Sequence, residues 1–280
     1  MVFSSISFLF LFLPLFLFAY VMLPWRNACA LVFSLLFYAW GDGVYVFLLL
    51  GTVLINYLVG VAIARESGPW VLPAGIALNL TILGYFKYTA FLVDDVLGLG
   101  HFANGPPHLP LGISFFVFQS ITYIVDLHRQ QARPARSFFD LALYVSMFPQ
   151  LIAGPIVRYT TVSEAMRSRR VEWAGVSAGL STFVTGLSYK VLIADNAAQV
   201  ADAAFGVELI SVDAMTAWLG TVAYALQIYF DFAGYSLMAI GLGGVMGFEF
   251  PQNFNYPYVS GSITEFWRRW HISLSTWFRD

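Results

Sequence analysis

The chain has 280 residues, a formal net charge of -2, and 59% apolar residues against 11% charged ones. A soluble domain carries about 25% charged residues, so a water-soluble enzyme or binding module of this size is excluded, and the sequence reads as an all-α, polytopic integral membrane protein. It has no basic arm for nucleic acid, and a lone cysteine, Cys29, in an apolar run offers neither a disulfide framework nor a CxxC metal site.

Met1 to Pro24 holds no charge and is crowded with Phe and Leu. A secretory signal needs a basic start and a small-residue cleavage site; here the stretch Ile6 to Leu23 reads as a retained first span, kinked at Pro14. Asp42 is the only charge between Arg26 and Arg65, and the Trp40-Gly-Asp-Gly43 string predicts a turn between two spans. A further apolar block runs from Pro69 to Phe86 and is closed by Lys87 to Asp95. In the uncharged stretch from Leu97 to Val125, Gly105-Pro-Pro107 and Pro110 separate a surface loop, holding His101 and His108, from a helix that ends near Asp126.

Loop charges give an orientation. Arg129, Arg133 and Arg136 form one basic cluster, and Arg158, Arg167, Arg169 and Arg170 a second. The positive-inside rule puts both in the cytoplasm. Phe138 to Val157 then starts and ends on one side, and Pro149, Gly154 and Pro155 interrupt it, so a re-entrant hairpin is expected. Irregular backbone at that depth requires surrounding protein or a water-filled cavity. Trp173 to Ile193 is the next span. An acidic loop with Asp195, Asp202, Glu208 and Asp213 follows on the outer face, and Ala214 to about Leu237 returns. No repeat or soluble module interrupts residues 1–280, which read as one transmembrane domain.

Three constellations could carry chemistry. Ser262 to Asp280 is expected to form a single amphipathic helix on the cytosolic side, opened by a Ser262-x-x-Glu265 capping box. On it His271 falls at the edge of an apolar arc that includes Trp267, Trp270 and Trp277, with Arg268, Ser275 and Arg279 alongside. An imidazole at an apolar boundary next to fixed positive charge resists protonation, and Arg268 and Arg269 could hold phosphate or carboxylate. The blander alternative is an interfacial helix whose tryptophans and arginines meet lipid headgroups. Second, Gln227 and Asp231 share a face of a span; an intramembrane carboxylate faces a cavity or a partner, and Lys190 is the partner on offer. Third, Gln150 lies in Phe148-Pro-Gln-Leu-Ile-Ala-Gly-Pro155, where it either reads a substrate or ties up freed backbone groups. No His/Asp/Glu spacing supports a metal site, no GxSxG a serine hydrolase, and no Walker loop a pump.

The strings Pro110-Leu-Gly-Ile-Ser-Phe-Phe-Val-Phe-Gln-Ser120, Phe148 to Pro155, Tyr224-Ala-Leu-Gln-Ile-Tyr-Phe-Asp-Phe-Ala-Gly-Tyr235, Asn253-Phe-Asn-Tyr-Pro-Tyr258 and Glu265-Phe-Trp-Arg-Arg-Trp-His-Ile-Ser-Leu-Ser-Thr-Trp277 resemble the membrane-bound O-acyltransferase family, above all its bacterial alginate O-acetylase branch. The resemblance covers the whole chain. It implies helices around a central cavity in the bacterial inner membrane. It also implies transfer of an acyl group, acetyl above all, from a cytosolic thioester such as acetyl-CoA toward an exported polysaccharide such as alginate, with no bound cofactor. Periplasmic polysaccharide-acetylation proteins are the implied partners, alongside membrane lipid. His271 matches the first of two family histidines and is the catalytic candidate. Trp267, Arg268, Arg269, Trp270, Gln227, Asp231 and Gln150 become candidates for donor or substrate binding. The second family histidine lies past Asp280, so the resemblance implies a chain truncated at that end and inactive alone. Two readings from other classes compete: a transporter or flippase, for which an intramembrane Asp and a broken segment are also expected, and a non-catalytic scaffold.

Overall fold

A computed structural model describes residues 2–99, 108–152, 154–169, 171–206 and 213–280. His101, the Gly105-Pro-Pro107 string, Arg170 and Glu208 lie outside the described residues. Among those described the regular structure is helical, without strands. Four helical runs are long and apolar enough to cross a membrane: Arg26–Ala64, Val71–Val96, Trp173–Phe205 and Ala214–Val245. Shorter apolar helices cover Phe8–Met22, here α1, and Ile113–His128. The chain divides into two compact units.

The first unit takes in residues 15–152 and 156–168. Its helices are α2 (Arg26–Asp42), α3 (Val46–Ala64), α4 (Val71–Ala90), α5 (Ile113–His128), α6 (Phe138–Ser146), α7 (Phe148–Leu151) and α8 (Tyr159–Ser168). The expected turn after Trp40 is present: Gly43, at φ 53° and ψ -118°, ends α2 and leaves two span-length helices in place of one. That conformation suits a residue without a Cβ. The Asp42 carboxylate accepts from Leu111 N–H at 2.7 Å and sits 2.6 Å from His108 Nε2, so it ties down the segment before α5.

The segment expected to be re-entrant forms α6 and α7, of 9 and 4 residues, well short of the roughly 20 residues a crossing needs. Residues 141–151 are buried throughout. Their freed backbone groups find partners inside the protein: Phe148 N–H donates to Ser34 Oγ at 3.1 Å, Tyr144 Oη to the Val157 carbonyl at 2.9 Å, and Gln150 Nε2 to the Tyr144 carbonyl. Gln150 thus meets the backbone through Nε2, while its Oε1 is buried without a hydrogen-bond partner.

Inside this unit two amides are cross-bonded between spans. Asn56 on α3 and Asn79 on α4 are fully buried and donate to each other's Oδ1 at 3.0 and 2.8 Å. Their remaining N–H groups reach the Thr52 and Gly75 carbonyls, both at 2.8 Å. All four amide hydrogens are therefore used. Asn56→Leu would strand Asn79 in an apolar site and should destabilise the protein by about 1–2 kcal/mol. Thermal unfolding in detergent checks this, with the Asn56→Leu/Asn79→Leu double variant expected to recover part of the loss.

The second unit takes in residues 2–14, 153–155 and 169–280. Its main helices are α9 (Trp173–Ser188), continued through a π-helical turn at Tyr189–Ala194 into α10 (Asp195–Phe205), and α11 (Ala214–Val245). Helices α12 (Ile263–Arg269) and α13 (Ile272–Arg279) follow. Two expectations are corrected. The predicted acidic loop is helical as far as Phe205, because Asn196-Ala-Ala-Gln-Val-Ala-Asp-Ala-Ala is rich in strong helix formers and continues a helix already formed from Trp173. And α11 runs to Val245 rather than Leu237, since its last two turns are packed by small residues, Ala239, Gly241 and Gly243, all buried.

Candidate active site

The capping box opens α12 as expected. Ser262 Oγ accepts from Glu265 N–H at 3.1 Å, and Glu265 Oε2 accepts from Gly261 N–H at 3.0 Å. That backbone bond, together with Arg269, holds the Glu265 carboxyl below its usual range. The helix does not continue to Asp280. Trp270 is extended, at φ -98° and ψ 130°, and His271 takes the left-handed region at φ 44° and ψ 54° before α13 begins. The single amphipathic helix is thus two short helices with the histidine at their junction. The strip of Arg268, Ser275 and Arg279 beside His271, drawn on one helix, does not form as such.

What breaks the helix is the segment Asn253-Phe-Asn255. Asn255 N–H donates to the Arg269 carbonyl and Ile272 N–H to the Asn253 carbonyl, both at 2.9 Å. Asn253, itself buried, also accepts at Oδ1 from Ser273 N–H at 3.2 Å and Ser273 Oγ at 2.9 Å. It caps α13 from outside, where His271 provides no side-chain cap. A non-glycine residue in the left-handed region costs about 1–2 kcal/mol, and such strain persists where surrounding bonds over-determine it. Here three donors to Asn253 and the bond from Asn255 do so.

The imidazole meets Phe232 of α11 edge to face, ring centres 4.7 Å apart. Burial holds its pKa down, to about 4. Of the two causes expected from the sequence, the apolar surroundings and the neighbouring arginines, desolvation is the one at work. Nε2 of His271 is buried without a hydrogen-bond partner.

It is not alone. Gln227 Oε1, Tyr235 Oη, Ser236 Oγ and Asn253 Nδ2 are likewise buried and unpartnered in this unit. Buried polar atoms are normally satisfied, so those that line a cavity can meet a ligand there. Ser236 and Asn253 face a cavity of about 250 Å³, whose wall also includes Tyr189, Tyr229, Phe254 and Tyr256. The pattern is aromatic walls with a few aimed polar atoms, the usual make-up of a small-molecule site.

The remaining predicted residues fall into three groups. Trp270 packs in an aromatic cluster, stacked on Phe266 at 5.6 Å and edge-on to Phe254 at 5.1 Å, and Trp267 is exposed. Arg269 is held by Glu265, at 2.8 Å, and by the Asn255 carbonyl, at 3.2 Å, whereas Arg268 is exposed and without an ion pair among the described residues. Asp231 pairs with Lys190 at 2.7 Å, the partner anticipated for it, and Lys190 also reaches Asp195 at 2.8 Å. The π-helical turn at Tyr189–Ala194 carries this lysine. Gln150 belongs to the other compact unit. Asn253 and Ser236 were not singled out from sequence; a polar residue among buried small ones on α11, and the Asn-Phe-Asn string before the capping box, were the available signals. No group of three or more His, Cys, Asp or Glu side chains able to hold a metal occurs among the described residues.

These features define a helical, polytopic membrane protein with a histidine held in strained backbone by Asn253, a residue that also lines an aromatic cavity. Comparison with known proteins places it further: the chain belongs to the membrane-bound O-acyltransferase (MBOAT) family, which it matches over residues 6–280. It is 45% identical over its whole length to the probable alginate O-acetylase AlgI of Pseudomonas syringae and 46% identical to that of Pseudomonas putida, covering 56% and 60% of those proteins. It is 35% identical to the peptidoglycan O-acetyltransferase of Helicobacter pylori, again over the whole chain and 60% of that protein. The chain therefore spans somewhat over half the length of these relatives.

Proposed function

We propose that this chain belongs to an inner-membrane O-acyltransferase that moves an acetyl group from a cytosolic thioester, acetyl-CoA being the plainest donor, toward an exported polysaccharide of the alginate kind. The observation that carries the reading is His271: half-buried, neutral, with Nε2 buried and unpartnered, and fixed in a strained conformation by Asn253 and Asn255. Family membership and the acetylase names of the relatives supply the reaction class.

In the reaction a hydroxyl oxygen attacks the thioester carbonyl carbon, the C–S bond breaks, and the thiolate leaves. The hydroxyl proton passes to a base. We assign that base to the second of the family's two histidines, His271 matching the first. His271 positions or polarises the donor carbonyl; as a neutral imidazole it can donate one hydrogen bond to a developing oxyanion, and burial makes such a donor effective. Arg268, free of ion pairs among the described residues, is the better candidate for donor phosphates; Arg269 is already engaged. Periplasmic proteins that carry the acetyl group onward are the expected partners. The test is direct: the complete gene product in proteoliposomes should release free thiol from acetyl-CoA in the presence of its polysaccharide-acetylation partners. Intact thioester under those conditions, with a folded protein, would rule the reading out.

A further inference from the structure

Away from His271, the first unit holds a small polar cavity of about 240 Å³, lined by Asn27, Arg136, Asp140, Tyr159, Ser163 and Arg167. Two guanidinium groups face one carboxylate, so the lining carries a net positive charge. Arg136 is exposed and forms no ion pair among the described residues. Arg167 lies beside the Tyr159 hydroxyl and so is pre-positioned. Asn27 Nδ2 donates to the Met166 carbonyl at 2.8 Å, which fixes α8 against the first turn of α2. The two guanidinium groups, with the Tyr159 hydroxyl beside them, make a set of donors suited to a tetrahedral anion, while the Ser163 hydroxyl on the same wall is turned to the Thr160 carbonyl at 3.4 Å.

Depth decides what kind of anion. Asn27 is the second residue of a run able to cross a membrane, Arg26–Ala64, so the cavity sits at the level where that span leaves the hydrocarbon. Trp25, 73% exposed, precedes it as an interfacial aromatic should. Arginine is the residue best matched to phosphate, because its planar fork donates two parallel bonds. Basic pockets at span ends are where lipid headgroups lodge. We propose that this cavity binds a phosphate group, with Arg136 and Arg167 as its principal ligands and a phospholipid headgroup as the source its depth favours. The site is separate from the acyl-transfer reading and does not depend on it.

Binding is measured on the detergent-solubilised complete protein, as the rise in melting temperature on titration with short-chain phosphatidylglycerol and, in parallel, with inorganic phosphate. Wild-type protein should be stabilised by the lipid. Arg136→Gln, a change at an exposed and unpaired side chain that leaves folding intact, should raise the apparent Kd about ten-fold, the loss of one charge-assisted bond. Arg133→Gln, on the same loop but outside the cavity, should leave it unchanged. Stabilisation by inorganic phosphate alone, lost in the same variant, would keep the phosphate site and assign it to a soluble ligand. No stabilisation by either probe, or equal weakening by Arg133→Gln and Arg136→Gln, would overturn the proposal, the latter pointing to a general basic surface.

Discussion

His271→Asn should leave the protein folded and inserted while cutting acyl transfer by about 100-fold or more, the usual scale for a lost acid–base or polarising group. Asparagine is chosen because it tolerates the left-handed region far better than alanine. The backbone at the α12–α13 junction, set by Asn253 and Asn255, is then preserved while the imidazole is removed. His271→Ala removes the same ring and adds backbone strain. If asparagine retained full activity where alanine lost it, His271 would be a conformational residue only, and the role proposed for it would fail. Thioester cleavage and acetyl transfer in proteoliposomes are the measurements.

The same residue makes a prediction about pH. Burial lowers the His271 pKa to about 4 from the ordinary 6.5. Between those values the unfolded chain binds a proton that the folded one refuses. Stability therefore falls as pH drops from about 6.5 toward 4, and is flat above, as far as this group decides it. Thermal unfolding followed from pH 7 to pH 4 should show that decline in the wild type and a shallower one in His271→Asn. Activity should show no loss near pH 6.5 attributable to His271 charging.

Much of this was legible in the sequence, for a physical reason. A bilayer demands unbroken apolar runs, and charges can sit only at their ends, so span positions follow from composition. The Gly43 break was read in the same way, and so was the helix expected to end near Asp126, which ends at His128. Even the Lys190–Asp231 pair could be anticipated, because a carboxylate within a span needs a partner. What escaped was decided by contacts distant in sequence. The capping box and the amphipathic pattern from Ser262 to Asp280 are locally consistent with one helix. Only the Asn253–Asn255 segment, pairing with Arg269 and Ile272, turns that helix into two and puts His271 at the corner. His271 became the catalytic candidate through the resemblance of its string to the family's, not through its spacing on a helix. Acidic residues after Ile193 misled in the opposite direction, since charge marks solvent exposure and says little about helicity.

Glycines in spans carried a further signal that spacing would have exposed. Gly179 and Gly186 on α9 are 7 residues apart, as are Gly234 and Gly241 on α11, so each pair lies two turns apart on one face. The helices run antiparallel, with Gly179 against Gly241 and Gly186 against Gly234. A Cβ at Gly179 would stand 2.6 Å from the Gly241 carbonyl oxygen and 2.8 Å from Val245 N; one at Gly186, 2.5 Å from the Gly234 oxygen and 2.7 Å from Met238 N. These neighbours are backbone and cannot swing aside. Without a hydrophobic force between helices in lipid, close backbone approach of this kind is what holds them together. Even Gly186→Ala should therefore lower stability by about 1–3 kcal/mol through overpacking. Gly179→Leu/Gly186→Leu should prevent α9 and α11 from docking, leaving protein that inserts but aggregates on extraction. Gly51→Ala and Gly84→Ala are the controls: each sits in a helix with nothing within 4 Å of the added Cβ, so each should be tolerated or slightly stabilising. Size-exclusion profiles and melting temperatures of the four variants test this. Because α11 also carries Phe232, against the His271 ring, and Ser236, on the cavity wall, the activity of Gly186→Ala should fall further than its stability alone requires. A variant with a lowered melting temperature but undiminished turnover would separate the α9–α11 contact from the site.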